Sequence, residues 1–406
     1  MKYIICLGDG MADYPVEALG GRTPLEAADK PYMDYVAQHG AIGLCRTIPE
    51  GMAPGSDAAN MSVMGFDPKR YYSGRSPLEA VALGVEMQPD DVAFRCNLVC
   101  LSDEPAYEDK TMIDYSSDEI STEESVQLIA DLAKLFNAPD LQLYPGISYR
   151  HCLILNHAQI GSELTPPHDI TGKPVKGHLP GGRYGQRLLE LQKRSYELLS
   201  QHPVNLARIA AGKKPANSCW FWGEGTKPAF DTMENLYGIK GGVICAVDLI
   251  KGLGLCAGLR NIPVEGATCA MVTNYKGKGE AALQLLKEGC DLVYIHVEAP
   301  DECGHHGEPQ MKTEAIENID RHVLGFLMDQ LKAMGEDFRV LLCPDHPTPI
   351  ATMTHSGEPI PFVLYDSTRE SNGPSAPRYT EAYATASGLF LPEGPMMMQK
   401  LISGEF

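Results

Sequence analysis

At 406 residues, 44% hydrophobic and 21% charged, the chain is long enough for two domains or one domain with an insertion. No stretch reaches the ~20 apolar residues of a membrane-spanning helix. A formal net charge of −19 argues against a nucleic-acid partner, and it means that local cations must hold any anionic ligand against the overall field.

Residues 3–7 (YIICL) open the chain as a strand that runs into Asp9 and Gly10 without a cleavage-site pattern, so the expected compartment is the cytoplasm. Further on, Pro54-Gly55-Ser56-Asp57 leads into AANMSVMG, a helix start. The octamers at 22–29 (RTPLEAAD) and 75–82 (RSPLEAVA) echo each other without forming a repeat array. A helix over Thr122–Phe136 is announced by Ser121 and Glu124 at capping-box spacing. Strands follow at 242–247 (GVICAV), 291–297 (DLVYIHV), 338–343 (FRVLLC) and 361–365 (PFVLY), with helical patterns at 280–288 and 314–334 between them. This order predicts an α/β fold, a layered core with a mostly parallel central sheet. The core is expected over 1–90 and 228–406, with an inserted α+β domain over 91–227. Twelve cysteines lie singly, without a CxxC pair, and are expected as buried thiols rather than a disulfide framework.

Four clusters of acids, histidines and one serine fall after predicted strands: Asp9; Ser56; Asp301 with His305; and Asp345-His346 with His355 close behind. Strand carboxyl ends are where ligands gather in open α/β sheets. Aspartate and histidine together suit Mn²⁺, Zn²⁺ or Co²⁺ better than Ca²⁺, and two such ions clamp the oxygens of a phosphoryl transfer. Ser56, at a helix start, sits where an anion is favoured. Each residue also has a plainer reading: Ser56 as an N-cap, Asp9 as a cap, His355 as a satisfied polar side chain. Two glycine-rich stretches point elsewhere only superficially. Residues 252–257 (GLGLCA) lack the tight strand-to-glycine turn of a dinucleotide site, and 276–279 (KGKG) lacks the ending of a P-loop.

Over essentially its whole length the sequence resembles the alkaline-phosphatase superfamily, and within it the cofactor-independent phosphoglycerate mutases of the archaeal type. The resemblance is carried by GDGMAD, PGSDAANMSVMGFDP, YYSGRSPLEA, PPHDITGK, VEAPDECGHHGE, PDHPTP and THSGEPIPF. It implies one metal on Asp301, His305 and His355 and another on Asp9, Ser56, Asp345 and His346. The implied ions are two divalent cations, Mn²⁺ foremost and Mg²⁺, Co²⁺ or Zn²⁺ as alternatives, with no bisphosphoglycerate. The implied reaction interconverts 3-phosphoglycerate and 2-phosphoglycerate, a small phosphorylated substrate, through a phosphoserine on Ser56. A homoserine kinase acting on the same core is the alternative. Arg75 is the first candidate to hold substrate, because a guanidinium suits bidentate contact with phosphate or carboxylate. Arg150, His151, His168 and Asp169 are further candidates, and the choice among Lys227, Lys251 and Lys276 stays open, as does the oligomeric state.

Overall fold

Short apolar runs become strands where both of their faces can be buried. In the computed structural model, which describes residues 1–406, eight strands form one sheet, most of them such runs. These are β1 (Lys2–Gly8), β2 (Ala41–Cys45), β3 (Gly241–Ile244), β4 (Arg260–Asn261), β5 (Leu292–Val297), β6 (Phe338–Cys343), β7 (Ile360–Asp366) and β8 (Phe390–Leu391). Their spatial order is β4-β3-β5-β1-β6-β7-β2-β8, and β7 is antiparallel to both of its neighbours while the remaining pairs are parallel. Leu7 of β1 stands opposite His296 of β5 and Cys343 of β6, so three central strands end level with one another. That common edge positions the site.

Cys6, Ile295, Val340 and Leu342 from the sheet pack with Leu285, Ile316, Ile319 and Leu327 from the helices. The helical pattern at 314–334 is met by helix Pro309–Ile319, a wider-wound turn at Asp320–Gly325, and helix Phe326–Met334. Two contacts remote in sequence shape the wide turn. The Asp320 carboxylate accepts from the Met33 and Tyr32 N–H groups at the start of helix Pro31–His39, and Gly325 lets the Tyr32 ring approach where any β-carbon would stand 2.5 Å from it.

The strand expected over 242–247 stops at Ile244, because the chain turns into helix Asp248–Cys256. Gly252 and Gly254 are buried inside that helix, and a β-carbon on Gly254 would stand 2.6 Å from Val243. GLGLCA therefore serves helix-on-strand packing. KGKG likewise lies within helix Tyr275–Lys287, where Gly279 packs on the His322 carbonyl.

The chain divides into two compact units, Met1–Tyr72 with Phe230–Phe406, and Ser73–Ala229. The second unit begins at Ser73 rather than at 91. Helix Ser76–Ala82 packs on its strands, Ala80 joining Ala93, Cys152 and Ile154, and Ser73 Oγ donates to the Thr226 carbonyl at 2.7 Å. The sheet of this unit is antiparallel, with Val92–Leu101 paired to Arg150–Leu155, Ser218–Thr226 and Met112–Asp114, and Leu141–Ile147 beyond Arg150–Leu155. Helix Thr122–Phe136 forms over the expected residues. Ser121 Oγ accepts from the Glu124 N–H at 3.2 Å, which is one half of a capping box. No helix in the chain is long and apolar enough to cross a membrane.

Candidate metal centre

The first unit carries its chemistry on the loops that leave β1, β5 and β6. Asp9 follows β1 directly, its N–H donating to the Val297 carbonyl at 2.9 Å. Gly10 turns the chain at φ 60°, and a β-carbon there would lie 2.5 Å from Thr348 Oγ1 and 2.7 Å from Asp301 Oδ1. The turn after β1 must be glycine for the loops after β5 and β6 to close over it. Beyond β5, Asp301 and His305 lie on helix Ala299–His306, which puts the two side chains one turn apart on one face. Gly304 on that helix packs against the loop after β6, since a β-carbon would stand 2.5 Å from the Thr348 carbonyl. Asp345 and His346 follow β6, and the loop continues to His355.

Two sets of donors result. In one, Asp301 Oδ2 lies 3.2 Å from His305 Nε2, Asp301 Oδ1 lies 3.4 Å from His355 Nε2, and the two imidazole nitrogens are 3.0 Å apart. In the other, His346 Nε2 is 3.1 Å from Ser56 Oγ, 3.4 Å from Asp345 Oδ2 and 3.6 Å from Asp9 Oδ1. The sets adjoin, with the His346 and His355 rings 4.1 Å apart. All seven residues singled out from the sequence for this role meet here. Two of the plainer readings fail on geometry, those of Ser56 and Asp9, whereas His355 Nε2 has a partner in His305 Nε2 at 3.0 Å. Gly55, not Ser56, is the N-cap of helix Ser56–Val63, and the Ser56 hydroxyl makes no capping bond. Asp9 caps nothing: both of its oxygens are buried without a hydrogen-bond partner.

Residues that the sequence did not flag hold these groups in place. Asn60 Nδ2 donates to Asp345 Oδ2 and to the Ser56 carbonyl, both at 2.8 Å, and Tyr294 Oη donates to Asn60 Oδ1 at 2.7 Å. The Gly10 and His346 N–H groups donate to Asp345 Oδ1, and Thr348 Oγ1 donates to Asp301. Lys312, fully buried, pairs with Asp13 at 2.7 Å and donates to the carbonyls of Ala12 and Thr348, tying the loop after β1 to the loop after β6.

The electrostatics are those of a site short of cations. Burial, then the charges of Asp345, Asp301 and Glu298, push the Asp9 carboxyl well above its ordinary range. Burial with Asp301, Glu302 and Asp345 nearby pushes Glu298 up to about 8. Burial also raises Asp301, but its hydrogen bonds with His305 and His355 prevail and hold it far below the usual carboxylate range. The same pairing lifts His305 to about 9, whereas burial lowers His346 and takes His296 to about 4. Carboxylate oxygens and imidazole nitrogens, several of them buried and unpartnered, are the donor set that first-row divalent cations satisfy.

The candidate arginines and histidines for substrate, with Asp169, fall in the second unit. Arg75 Nε is 3.1 Å from Glu79, which also pairs with Arg95 Nε at 3.0 Å. Arg95 lies 4.2 Å over the Trp222 ring, and His168 stands against Trp222 and Tyr115 at 5.1 and 6.1 Å. Arg150 lies over Tyr149, 5.4 Å from the ring centre, and Tyr149 in turn packs on Tyr115. Arg75, His168 and Arg150 therefore share a cationic and aromatic patch with Arg95, which the sequence reading missed. Asp169 is exposed, 3.7 Å from His168. His151 does not join them. As the strand neighbour of Arg150 it points to the opposite face, where it is buried, accepts from the Gly146 N–H at 2.9 Å, and is held at about 3 by burial. Among the lysines, Lys276 is exposed and pairs with Glu280 at 3.1 Å, while Lys227 and Lys251 are half-buried in the second and first units respectively.

Comparison with known proteins gives one answer. Residues 37–205 match the family model described as 2,3-bisphosphoglycerate-independent phosphoglycerate mutase. The chain is 48% identical over 404 residues to the protein of that name from Methanothrix thermoacetophila, covering 100% of both chains. It is 47% identical over 402 residues to a probable enzyme of the same name from Geobacter sulfurreducens, covering 99% of this chain and 100% of that one. A solved protein from Pyrococcus horikoshii superposes with a TM-score of 0.81 at 28% identity, covering 99% of this chain and 96% of that one. The solved cofactor-independent phosphoglycerate mutase from Thermoplasma acidophilum shares the fold, with a TM-score of 0.69 at 24% identity and full coverage of both chains. With identity at this level along the entire sequence, the chain belongs to the 2,3-bisphosphoglycerate-independent phosphoglycerate mutase family.

Proposed function

We propose that the protein interconverts 3-phosphoglycerate and 2-phosphoglycerate in the cytoplasm, without bisphosphoglycerate, and that Ser56 carries the phosphoryl group between the two hydroxyls. The observation that carries this reading is the Ser56 hydroxyl, 3.1 Å from His346 Nε2 and at the first turn of a helix, where backbone N–H groups favour an anion. Asp301, His305 and His355 would hold one divalent cation, and Asp9, Ser56, Asp345 and His346 the other, with Mn²⁺ first among the metals their donors suit. When bound, such ions lower the pKa of a coordinated hydroxyl and spread the charge of a transferring phosphoryl group.

Ser56 Oγ attacks phosphorus, forming the serine phosphate as the bond to the glycerate oxygen breaks. The proton that Ser56 gives up is matched by the one that the released glycerate oxygen takes. The glycerate then offers its other hydroxyl, and the same exchange runs in reverse. Asn60 keeps Asp345 and the Ser56 carbonyl in register through both halves. Within the second unit, Arg75, Arg95 and Arg150 carry guanidinium groups of the kind that hold phosphate and carboxylate. The relatives described above carry mutase names, and no observation favours the homoserine kinase reading.

Brief incubation with 3-phosphoglycerate, an acid quench and peptide mass spectrometry test the assignment. A phosphate on the Ser56 peptide is expected, absent from a Ser56→Ala protein that folds but turns over at least ~10³-fold more slowly. A Ser56→Ala protein with turnover near the parent's would defeat it.

A further inference from the structure

The helix that begins at Ser56 already holds a carboxylate at its first turn. Asp57 follows Ser56 directly, and its Oδ1 accepts from the Ala58 N–H at 2.8 Å. Gly55 leaves room for that carboxylate, since a β-carbon there would stand 2.8 Å from Asp57 Oδ1. The other oxygen, Oδ2, accepts from the Tyr72 hydroxyl. Tyr72 is itself well anchored. It closes helix Pro68–Tyr71, its N–H donating to the Pro68 carbonyl at 2.9 Å. Its neighbour Tyr71 stands edge-on to the stacked rings of Phe66 and Phe230, 6.3 and 5.6 Å from them.

An aspartate in the first turn of a helix complements the dipole, and it needs no tyrosine to do so. Here its direction is fixed as well, by a bond at each oxygen, next to the serine hydroxyl. A phosphate on Ser56 would bring nearly two further negative charges to the same helix start. It would also compete with Asp57 for the N–H groups there. Like charges held side by side raise the energy of the state that contains both.

We infer that Asp57, aimed by Tyr72, keeps the serine phosphate short-lived, an inference that rests on Ser56 as the phosphoryl carrier. The carboxylate raises the energy of phosphoserine relative to bound phosphoglycerate, whose phosphate is not yet joined to Ser56 Oγ. The bond from Ser56 Oγ to phosphorus therefore breaks more readily as the bond to the glycerate oxygen forms. The glycerate hydroxyl gives up a proton in that step and Ser56 Oγ takes one. Asp57 makes and breaks no bond, and acts by its charge. Tyr72 is a positioning residue, acting through Asp57.

Acid quench during turnover of 3-phosphoglycerate, followed by peptide mass spectrometry, counts the fraction of Ser56 that carries phosphate. The comparison is among the Mn²⁺-loaded parent, Asp57→Asn and Tyr72→Phe. A fraction on the order of tenfold higher in Asp57→Asn, with a smaller rise in Tyr72→Phe, is expected. Phosphoserine at the parent's level in both variants overturns the inference and leaves Ser56 as the carrier. An Asp57→Asn protein that loses only urea stability would mean that the carboxylate merely supports the helix. No phosphate on Ser56 in any of the three overturns the carrier and the inference together. Tyr72→Phe alone decides if Asp57→Asn fails to fold.

Discussion

Tyr294 shows how a single hydroxyl reaches the chemistry through another side chain. Fully buried on β5, it donates to Asn60 Oδ1, and Asn60 in turn holds Asp345 and the Ser56 carbonyl. Tyr294→Phe leaves Asn60 Oδ1 buried and unpartnered, a cost of about 1–3 kcal/mol, and frees the amide that orients Asp345. Urea unfolding should register that loss, and Mn²⁺ titration should show affinity weakened by about tenfold or more, the usual price of removing a group that orients a metal ligand. An unchanged Mn²⁺ affinity in the folded variant would remove Tyr294 from the site. Asp9, Ser56, Asp301, His305, Asp345, His346 and His355 were legible because acids, histidines and a serine after apolar runs have little packing value there. Asn60 was not, because within AANMSVMG it reads as one more helical residue and its partner Tyr294 is remote in sequence.

At the level of elements, strands were easier to read than the joints between them. Residues 338–343 form a strand over the expected bounds, since continuous apolar runs have few other fates in a buried sheet. The wide turn at Asp320–Gly325 left no mark on the helical pattern of 314–334, because its causes, the start of helix Pro31–His39 and the Tyr32 ring, come from far away in the chain. That turn carries a testable pH dependence. Burial raises the Asp320 carboxyl from 3.8 to about 6, against the bonds from Met33 and Tyr32. The folded state therefore binds this proton more tightly than the unfolded chain does. Its contribution is full below about pH 4 and is lost as the pH rises through 6, an effect of about 3 kcal/mol at most. Asp320→Asn removes the titration, so the stability of the parent relative to the variant should fall between about pH 4 and pH 6. A difference in urea midpoint that stays constant across that window would contradict the assignment.

Over the whole molecule, the insertion was legible from the change from apolar strands to polar turns, but its start was not. The octamer at 75–82 resembles the one at 22–29, yet the first packs on the strands of the second unit and the other stays in the first unit. Composition carries no trace of that difference, because packing on a remote strand decides it. The charge of −19 and the crowd of Asp9, Asp301, Asp345 and Glu298 have a shared consequence. Cations that bind the folded chain relieve this repulsion, and ligand present at about a thousand times its Kd adds about 4 kcal/mol. Chelation should therefore lower the Tm by several degrees, and Mn²⁺ should restore it; a Tm indifferent to chelation would show that the carboxylates are neutralised by other means. The most direct measurement is an enolase-coupled assay with 3-phosphoglycerate on metal-stripped protein resupplied with Mn²⁺, without bisphosphoglycerate. Turnover that appears with Mn²⁺ and vanishes on chelation is the predicted result. Turnover that survives chelation, or that appears only when bisphosphoglycerate is added, would contradict a metal-dependent transfer through Ser56.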